Sequence, residues 1–270
     1  MLCPKHYKLK FLDKIPEASS WVAHGGIVVH EIIETALKVF ARTGKYPDWK
    51  DMDDQFDVVW NRQQTKTQGK DDFIGWKEDA KEPVEKVRME CRPLIRLARE
   101  EALPRYQPWM LDSGPVVEKR IDLELESAIG TFPLIGYIDL LDASGVLVDW
   151  KTTGVNKEGN VSDRKLKGWL QNAAYSLWAW PIVGEEYLPC QKVFLVKGRV
   201  PRIEYSNFKV GPKHRKFFTD VAAEVWVSTV QGGFPANPNT WMCNPKYCSY
   251  YAVCRGEVED DDGSDQSADI

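Results

Sequence analysis

The sequence has no apolar run approaching the roughly 18 residues that a membrane-spanning helix requires. Its first ten residues, MLCPKHYKLK, contain no apolar stretch of the signal-peptide kind. No membrane-spanning helix and no membrane partner are expected, and a cytoplasmic protein is expected. Internal repeats are also missing. A net positive charge is absent too, the formal charge being -4. That last absence misleads until the tail is set apart. Residues 256–270, GEVEDDDGSDQSADI, hold acids and no base, and the rest of the chain is slightly basic. The tail is expected to be disordered, either as a solvated end or as a contact for a protein partner. Basic residues are not massed: Lys165, Lys167, Lys197, Arg199, Lys213, Arg215 and Lys216 are scattered and read by default as a solvated face. Together they could line a groove that contacts phosphates without reading sequence.

What is present is an ordinary globular composition, 43% hydrophobic over 270 residues, enough for a sizeable core. Between Ser19 and Gly44, Val22, Val29, Ile32, Ile33, Ala36, Val39 and Phe40 recur at helical spacing, with Ser19 or Ser20 placed to cap and Gly44 to stop. Residues 45–72 look polar and irregular. Residues 73–102 read as helix bent or broken by Pro83 and Pro93. Strands are expected near 115–126, 132–141 and 145–151, a helix near 163–180, strands near 191–197 and 202–208, and a last helix over 212–230. This order predicts an α/β fold with a central sheet.

Chemistry concentrates in VLVDWKTTG, residues 146–154. On a strand, Asp149 and Lys151 project to one face and Val148 and Trp150 to the other. A D-x-K triplet is common by chance and alone favours a plain ion pair. Its context is a hairpin: GYIDLLD precedes it, and antiparallel pairing would bring Asp139 beside Asp149 and Lys151. Two close carboxylates repel unless a cation lies between them, and oxygen ligands suit Mg²⁺ or Mn²⁺. In the first helix Gly26, His30 and Glu34 share a face; His30 is either a core histidine bonded to Glu34 or a metal ligand. Gln171 and Tyr175 share a face of the helix that follows.

GIVVHEIIE, GYIDLLD, VLVDWKTTG and QNAAY, in this order, resemble the motifs of the PD-(D/E)XK nuclease superfamily, in its RecB-like exonuclease branch, which includes CRISPR-associated iron-sulfur exonucleases and phage relatives. The resemblance runs from Cys3 to Cys254. It implies a restriction-endonuclease-like mixed sheet flanked by helices, with residues 1–255 as one nuclease domain: a mainly helical part (1–110), an α/β catalytic core (111–232) and a cysteine segment (233–255). It implies a metal site of His30, Asp139, Asp149 and the carbonyl of Trp150, with Lys151 as the catalytic lysine and Gln171 and Tyr175 on the substrate. It also implies a 4Fe-4S cluster on Cys3, Cys243, Cys248 and Cys254, with zinc as the alternative, because the C-x4-C-x5-C spacing departs from the commoner pattern. Cys91 and Cys190, among apolar neighbours, are expected to be buried and inert. The implied activity is a Mg²⁺- or Mn²⁺-dependent, sequence-nonspecific DNA exonuclease of recombination, repair or DNA processing. The alternatives are an endonuclease or nickase of the same fold, or a non-catalytic DNA-binding or adaptation factor.

Overall fold

The computed structural model describes residues 3–77, 83–155, 161, 169–240, 242–245 and 247–256. The helices are α1 (Pro4–Tyr7), α2 (Trp21–Thr43), α3 (Trp49–Gln68), α4 (Val84–Leu97), α5 (Leu170–Val183), α6 (Pro212–Val230) and α7 (Tyr251–Arg255). A two-residue hairpin, β1 (Met110–Leu111) and β2 (Gly114–Pro115), precedes the main sheet of β3 (Val117–Ser127), β4 (Gly130–Leu141), β5 (Leu147–Thr153), β6 (Leu188–Val196) and β7 (Arg202–Val210). These five strands lie in sequence order. β5 and β6 run parallel and the other neighbours antiparallel. This is the mixed sheet flanked by helices that the restriction-endonuclease-like fold requires. No helix among the described residues is long and apolar enough to cross a membrane.

α2 forms where its periodicity says it should. Ser20 Oγ accepts the Ala23 N–H at 3.4 Å, and Gly44 closes the helix with φ 72°, donating to the Phe40 carbonyl. Val28, Val29, Ile32, Ile33, Ala36 and Leu37 are buried, packing with α4 and with Val148, Trp150, Val193 and Leu195 of the sheet. The opposite face of the sheet presents Ile121, Ile138, Leu147 and Cys190 to Ala173 and Ala179 of α5. Three layers result, and each fully buried large apolar side chain contributes about 1.5–3 kcal/mol.

Residues 45–72 depart from expectation. Most of that stretch is α3, a regular helix whose apolar stripe is only Met52, Phe56, Val59 and Trp60. The stripe is narrow because its flanks carry charges that are neutralised by neighbouring helices. Arg92 of α4 donates to Asp53 at 2.9 and 3.0 Å and to Asp57 at 2.9 Å, Arg88 also pairs with Asp57, and Arg62 reaches Glu31 of α2. α4 begins directly after Pro83 and continues through Pro93. Residues 78–82, the expected start of the helix near 163, Lys165, Lys167 and the acidic tail from 257 onward lie outside the described residues.

Candidate active site and cysteine cavity

β4 and β5 pair at Leu140↔Val148 and Leu141↔Leu147, and no ladder pair continues beyond these. The turn that joins them is fixed by Asp142, whose carboxylate accepts the N–H groups of Gln107 (2.7 Å) and Ser144 (2.9 Å). Past Val148, the edge of β5 facing β4 is taken over by a side chain: Asp139 Oδ2 accepts the Trp150 N–H at 2.8 Å. One carboxylate thus fills a ladder position and is held in place by it.

Asp149 is 1% exposed and Lys151 Nζ donates to its Oδ1 at 2.6 Å. Asp149 Oδ2 is buried and has no hydrogen-bond partner among the described residues. Burial, then repulsion from Asp149, pushes the Asp139 carboxyl up to about 7. Such a pair is expensive without a cation, and its oxygens are the hard donors that Mg²⁺ or Mn²⁺ take. The carboxylates therefore fit a divalent ion as far as donor chemistry goes, although no group of three or more His, Cys, Asp or Glu side chains that could hold a metal stands among the described residues.

His30 Nδ1 lies 4.0 Å from Asp139 Oδ2. Burial, then Lys151, pushes its imidazole down to about 4, so the ring is neutral at pH 7 and able to donate a lone pair. Glu34 pairs with Lys38 rather than with His30. The small residue one turn earlier has a steric reason: a Cβ on Gly26 would come within 2.9 Å of Thr152 Oγ1, so glycine lets α2 close on β5. A cavity of about 540 Å³ opens here, lined by Gly26, His30, Glu34, Glu118 and Asp139 among others.

On α5, Gln171 Nε2 donates to the Tyr175 hydroxyl at 2.6 Å. The Tyr175 ring lies close to Gly136 of β4, where a Cβ would meet its Cε1 at 3.2 Å. Burial pushes its phenol up to about 12, with Asp139 and Asp149 adding to the rise, so the hydroxyl is a neutral donor beside the carboxylates.

Two residues at this site escaped the sequence reading. Lys192 lies in register with Asp149 on the parallel strand and is 6% exposed; a lysine inside the apolar strand CQKVFLV was the available signal. Glu118 sits among the alternating charges of β3, where nothing local distinguishes it. Two of the scattered basic residues are also not solvated: Lys197 and Arg215 are buried, and Arg215 donates to the Glu186 carbonyl at 3.0 Å while covering the Trp180 ring.

Residues 3–11 and 236–255 meet at a second centre. Cys3, Cys243, Cys248 and Cys254 all line one cavity of about 190 Å³, with His6 and Tyr250 in its wall. All six cysteines are free thiols. Cys248 Sγ lies 3.6 Å from His6 Nδ1, the Asn237 N–H donates to Cys3 Sγ at 3.4 Å, and the Tyr250 hydroxyl ties the segment to the Ile15 carbonyl at 2.9 Å. Burial raises the Cys248 thiol, and Cys3, Cys243 and Cys254 add to the rise. Cys91 and Cys190 are buried apart from this cavity, their thiols pushed up to about 11 and about 12 by desolvation.

Solved structures that resemble the chain include the following two. A protein of Eubacterium rectale described as a candidate exonuclease shares 15% identity over 94% of this chain and 92% of its own, with a TM-score of 0.44. SSO0001 shares 16% identity over 53% of this chain and 61% of its own, with a TM-score of 0.34. No curated protein sequence matches the chain. The family model of the PD-(D/E)XK nuclease superfamily matches residues 1–255, and the chain belongs to that superfamily.

Proposed function

We propose that the protein is a divalent-metal-dependent DNA exonuclease of the RecB-like branch. The observation that carries the reading is the break in the β4–β5 ladder, where Asp139 accepts the Trp150 N–H while Asp149, one residue earlier on the same strand, is held by Lys151. His30, Asp139, Asp149 and the Trp150 carbonyl would hold Mg²⁺ or Mn²⁺, which lowers the pKa of attacking water and offsets charge on the phosphate. Lys151, with its side chain about one-third exposed, orients Asp149 and presents its ammonium to the phosphate. Neutral His30 stays available as a donor at neutral pH. Gln171 and Tyr175 offer hydrogen-bond donors to the DNA backbone without reading bases.

The cysteine cavity holds a 4Fe-4S cluster in this reading. Four unpaired thiols brought to one cavity from both ends of the chain support it, and zinc on the same thiols is the alternative. The cluster pins the ends and takes no part in hydrolysis. Incubation of end-labelled linear and closed circular DNA with Mg²⁺, Mn²⁺ or chelator tests the activity. Mononucleotide release from linear DNA alone is expected. Cleavage of closed circles would mark an endonuclease, and cleavage in chelator would overturn the metal dependence.

A further inference from the structure

Two cavities adjoin along the seam between α2 and α3. The cavity of about 540 Å³ at Asp139 takes Gly26, Ile27 and His30 from α2, and Gln63 and Lys66 from α3. A second cavity, of about 290 Å³, takes Ser20 and Ala23 from the start of α2, Thr67 from α3 and Lys70 from the turn just past its end. On each side the residues recur at three- and four-residue spacing, so each set forms one stripe. Ala23 stands one turn before Gly26 and Ile27, and Thr67 follows directly on Lys66, which makes the two cavities successive stretches of one groove. From His30 to Ser20 it follows about 15 Å of helix at 1.5 Å per residue, room for about four stacked nucleotides at 3.4 Å each.

The charge changes sign along this groove. Its His30 end is acidic, with Glu118 and Asp139 in the wall. Glu31 there is bonded to Arg62 and Gln63 of α3, and Glu34 to Lys38. From Lys66 onward, four ammonium groups (Lys66, Lys10, Lys70 and Lys77) face two carboxylates, Glu17 and Asp72, among the described residues that line it. Lys10 pairs with Glu17, and Lys77 donates to Ser249 at 3.2 Å. The ammonium groups of Lys66 and Lys70 have neither a hydrogen bond nor an ion pair among the described residues. A single unpaired lysine is an ordinary solvated side chain; what distinguishes these is their alignment on a path that begins at the reaction centre's carboxylates. Apolar surface accompanies them, since Ile27 is 50% exposed in the first cavity and the half-buried Phe73 lines the second. Packed helices lie about 8–10 Å apart, so a groove along their seam is too narrow for a duplex, whose major groove alone is about 12 Å across.

We propose that this groove is the track of a single DNA strand, which runs from the carboxylates along α2 with Lys66 on a phosphate next to the scissile one and Lys70 on a phosphate farther along. Ile27 and Phe73 take sugar and base faces, a combination of cationic groove and apolar platform that holds a strand without reading its sequence. The use of the track in cleavage rests on the nuclease reading above; the binding of a strand in it does not. Of the scattered basic residues, Lys213 and Lys216 belong to α6, whose Phe218 packs on the opposite face of the sheet with α5, and they stand outside the track.

The test is fluorescence anisotropy with a labelled single strand of about eight nucleotides, twice the length of the groove, in chelator and between about 50 and 200 mM salt. Wild type is compared with Lys66→Ala, Lys70→Ala, the double variant and Lys216→Ala, and cleavage in Mg²⁺ and melting temperature are followed in parallel. Each phosphate contact on a single strand contributes about 0.7 to the slope of log affinity against log salt. Lys66→Ala and Lys70→Ala should therefore each flatten the slope by about 0.7 and bind about fivefold more weakly at 0.1 M salt, and the double variant should lose about 1.4 and about 25-fold. Melting temperatures should not move, because neither ammonium has a partner to lose, and Lys216→Ala should match wild type. A wild type that binds no strand, a double variant with undiminished affinity, a weaker double variant with the wild-type slope, or an equal loss in Lys216→Ala would each overturn the track. The two claims separate in the cleavage assay. If binding follows the expected pattern but neither Mg²⁺ nor Mn²⁺ supports cleavage, the nuclease reading fails and the track stands; if wild type cleaves and the double variant matches it in affinity and KM, only the track falls.

Discussion

The candidate active site and the cysteine cavity both gather residues from far apart in the chain, but they are held together in different ways. Asp139, Asp149 and Lys151 stand on paired strands between two packed layers, and the Trp150 N–H fixes one carboxylate directly. Their geometry is imposed by the sheet, and the site carries electrostatic cost because it is built before any ion arrives. The cysteine cavity has little such scaffold. α1 has four residues and α7 five, and a few hydrogen bonds such as Tyr250 to Ile15 join them. Helices that short do not stand by themselves. A preformed site spends stability on function; a loosely framed one draws stability from what it binds. The first should therefore lose activity and keep its fold when damaged, and the second should do the reverse.

The largest expected effect is on the preformed side. Asp149→Asn keeps the shape of a buried residue and removes the charge that Lys151 pairs with. Cleavage should fall by at least about 1,000-fold, a loss of roughly 4 kcal/mol of transition-state stabilisation, while the melting temperature changes little. A variant that unfolds would mean that Asp149 frames the sheet, and the contrast between the two centres would blur.

Asp139 gives the sharpest test of built-in cost. Its carboxyl, normally near 3.8, is raised to about 7, so the folded metal-free protein binds a proton more tightly than the unfolded chain does. The stability this contributes is complete below about 3.8 and is lost as pH climbs through about 7. His30 works oppositely: lowered from 6.5 to about 4, it contributes stability present above 6.5 and lost as pH falls through about 4. The two slopes largely cancel between pH 4 and 6.5. Asp139→Asn should expose the His30 slope and raise the stability of the metal-free protein at pH 7.5 by about 1–3 kcal/mol, while abolishing cleavage. Urea unfolding in chelator across pH 4–8 measures this. An Asp139→Asn protein less stable than wild type at pH 7.5 would show that the Trp150 N–H bond outweighs the buried charge.

Which of these features could be read from sequence follows from how local they are. The caps and apolar stripe of α2 lie within one segment, as do the two strands and tight turn that bring Asp139 near Asp149, so periodicity and turn residues sufficed. α3 was missed because its stripe is four residues wide in a field of charges, and those charges become intelligible only when Arg88 and Arg92 of another helix are placed beside them. Glu118 and Lys192 were missed for the same reason: their meaning is a register across strands, and no window along the chain contains it. The four cysteines came through likeness to a family layout, since nothing in their spacing alone would join Cys3 to Cys243.

On the loosely framed side, Cys254→Ser should cost stability before activity. Protein purified anaerobically should be brown, with about four irons per chain if the bound group is the cluster, and colourless with stoichiometric zinc if it is not. In either case loss of a ligand thiol should lower the melting temperature by roughly 5–10 °C, the equivalent of a few kcal/mol in a chain of this size. Cleavage at low temperature should stay within a few-fold of wild type. Cys91→Ala, a buried thiol outside the cavity, should leave metal content unchanged. If Cys254→Ser loses activity as steeply as Asp149→Asn with no change in melting temperature, the cavity serves catalysis and the contrast fails.

The smallest effect is expected at Gln171 and Tyr175, the pair proposed to contact substrate. Gln171 and Tyr175 bond to one another on a rigid helix, and the phenol is held neutral by burial and by the carboxylates beside it. Neither is a useful ligand for a hard cation, so removing them should spare the metal. Gln171→Ala loses one donor and leaves the Tyr175 hydroxyl to water. One hydrogen bond to a charged phosphate is worth about 1.5–3 kcal/mol, so KM for DNA should rise roughly 10- to 100-fold with kcat less affected. Tyr175→Phe keeps the ring beside Gly136 and removes only the hydroxyl, and its effect should be the milder of the two because Gln171 remains to donate. Mn²⁺ calorimetry on both variants should match wild type. A change in kcat without a change in KM, or a lost Mn²⁺ site, would move this pair from the substrate to the reacting atoms and make the preformed centre larger than its carboxylates.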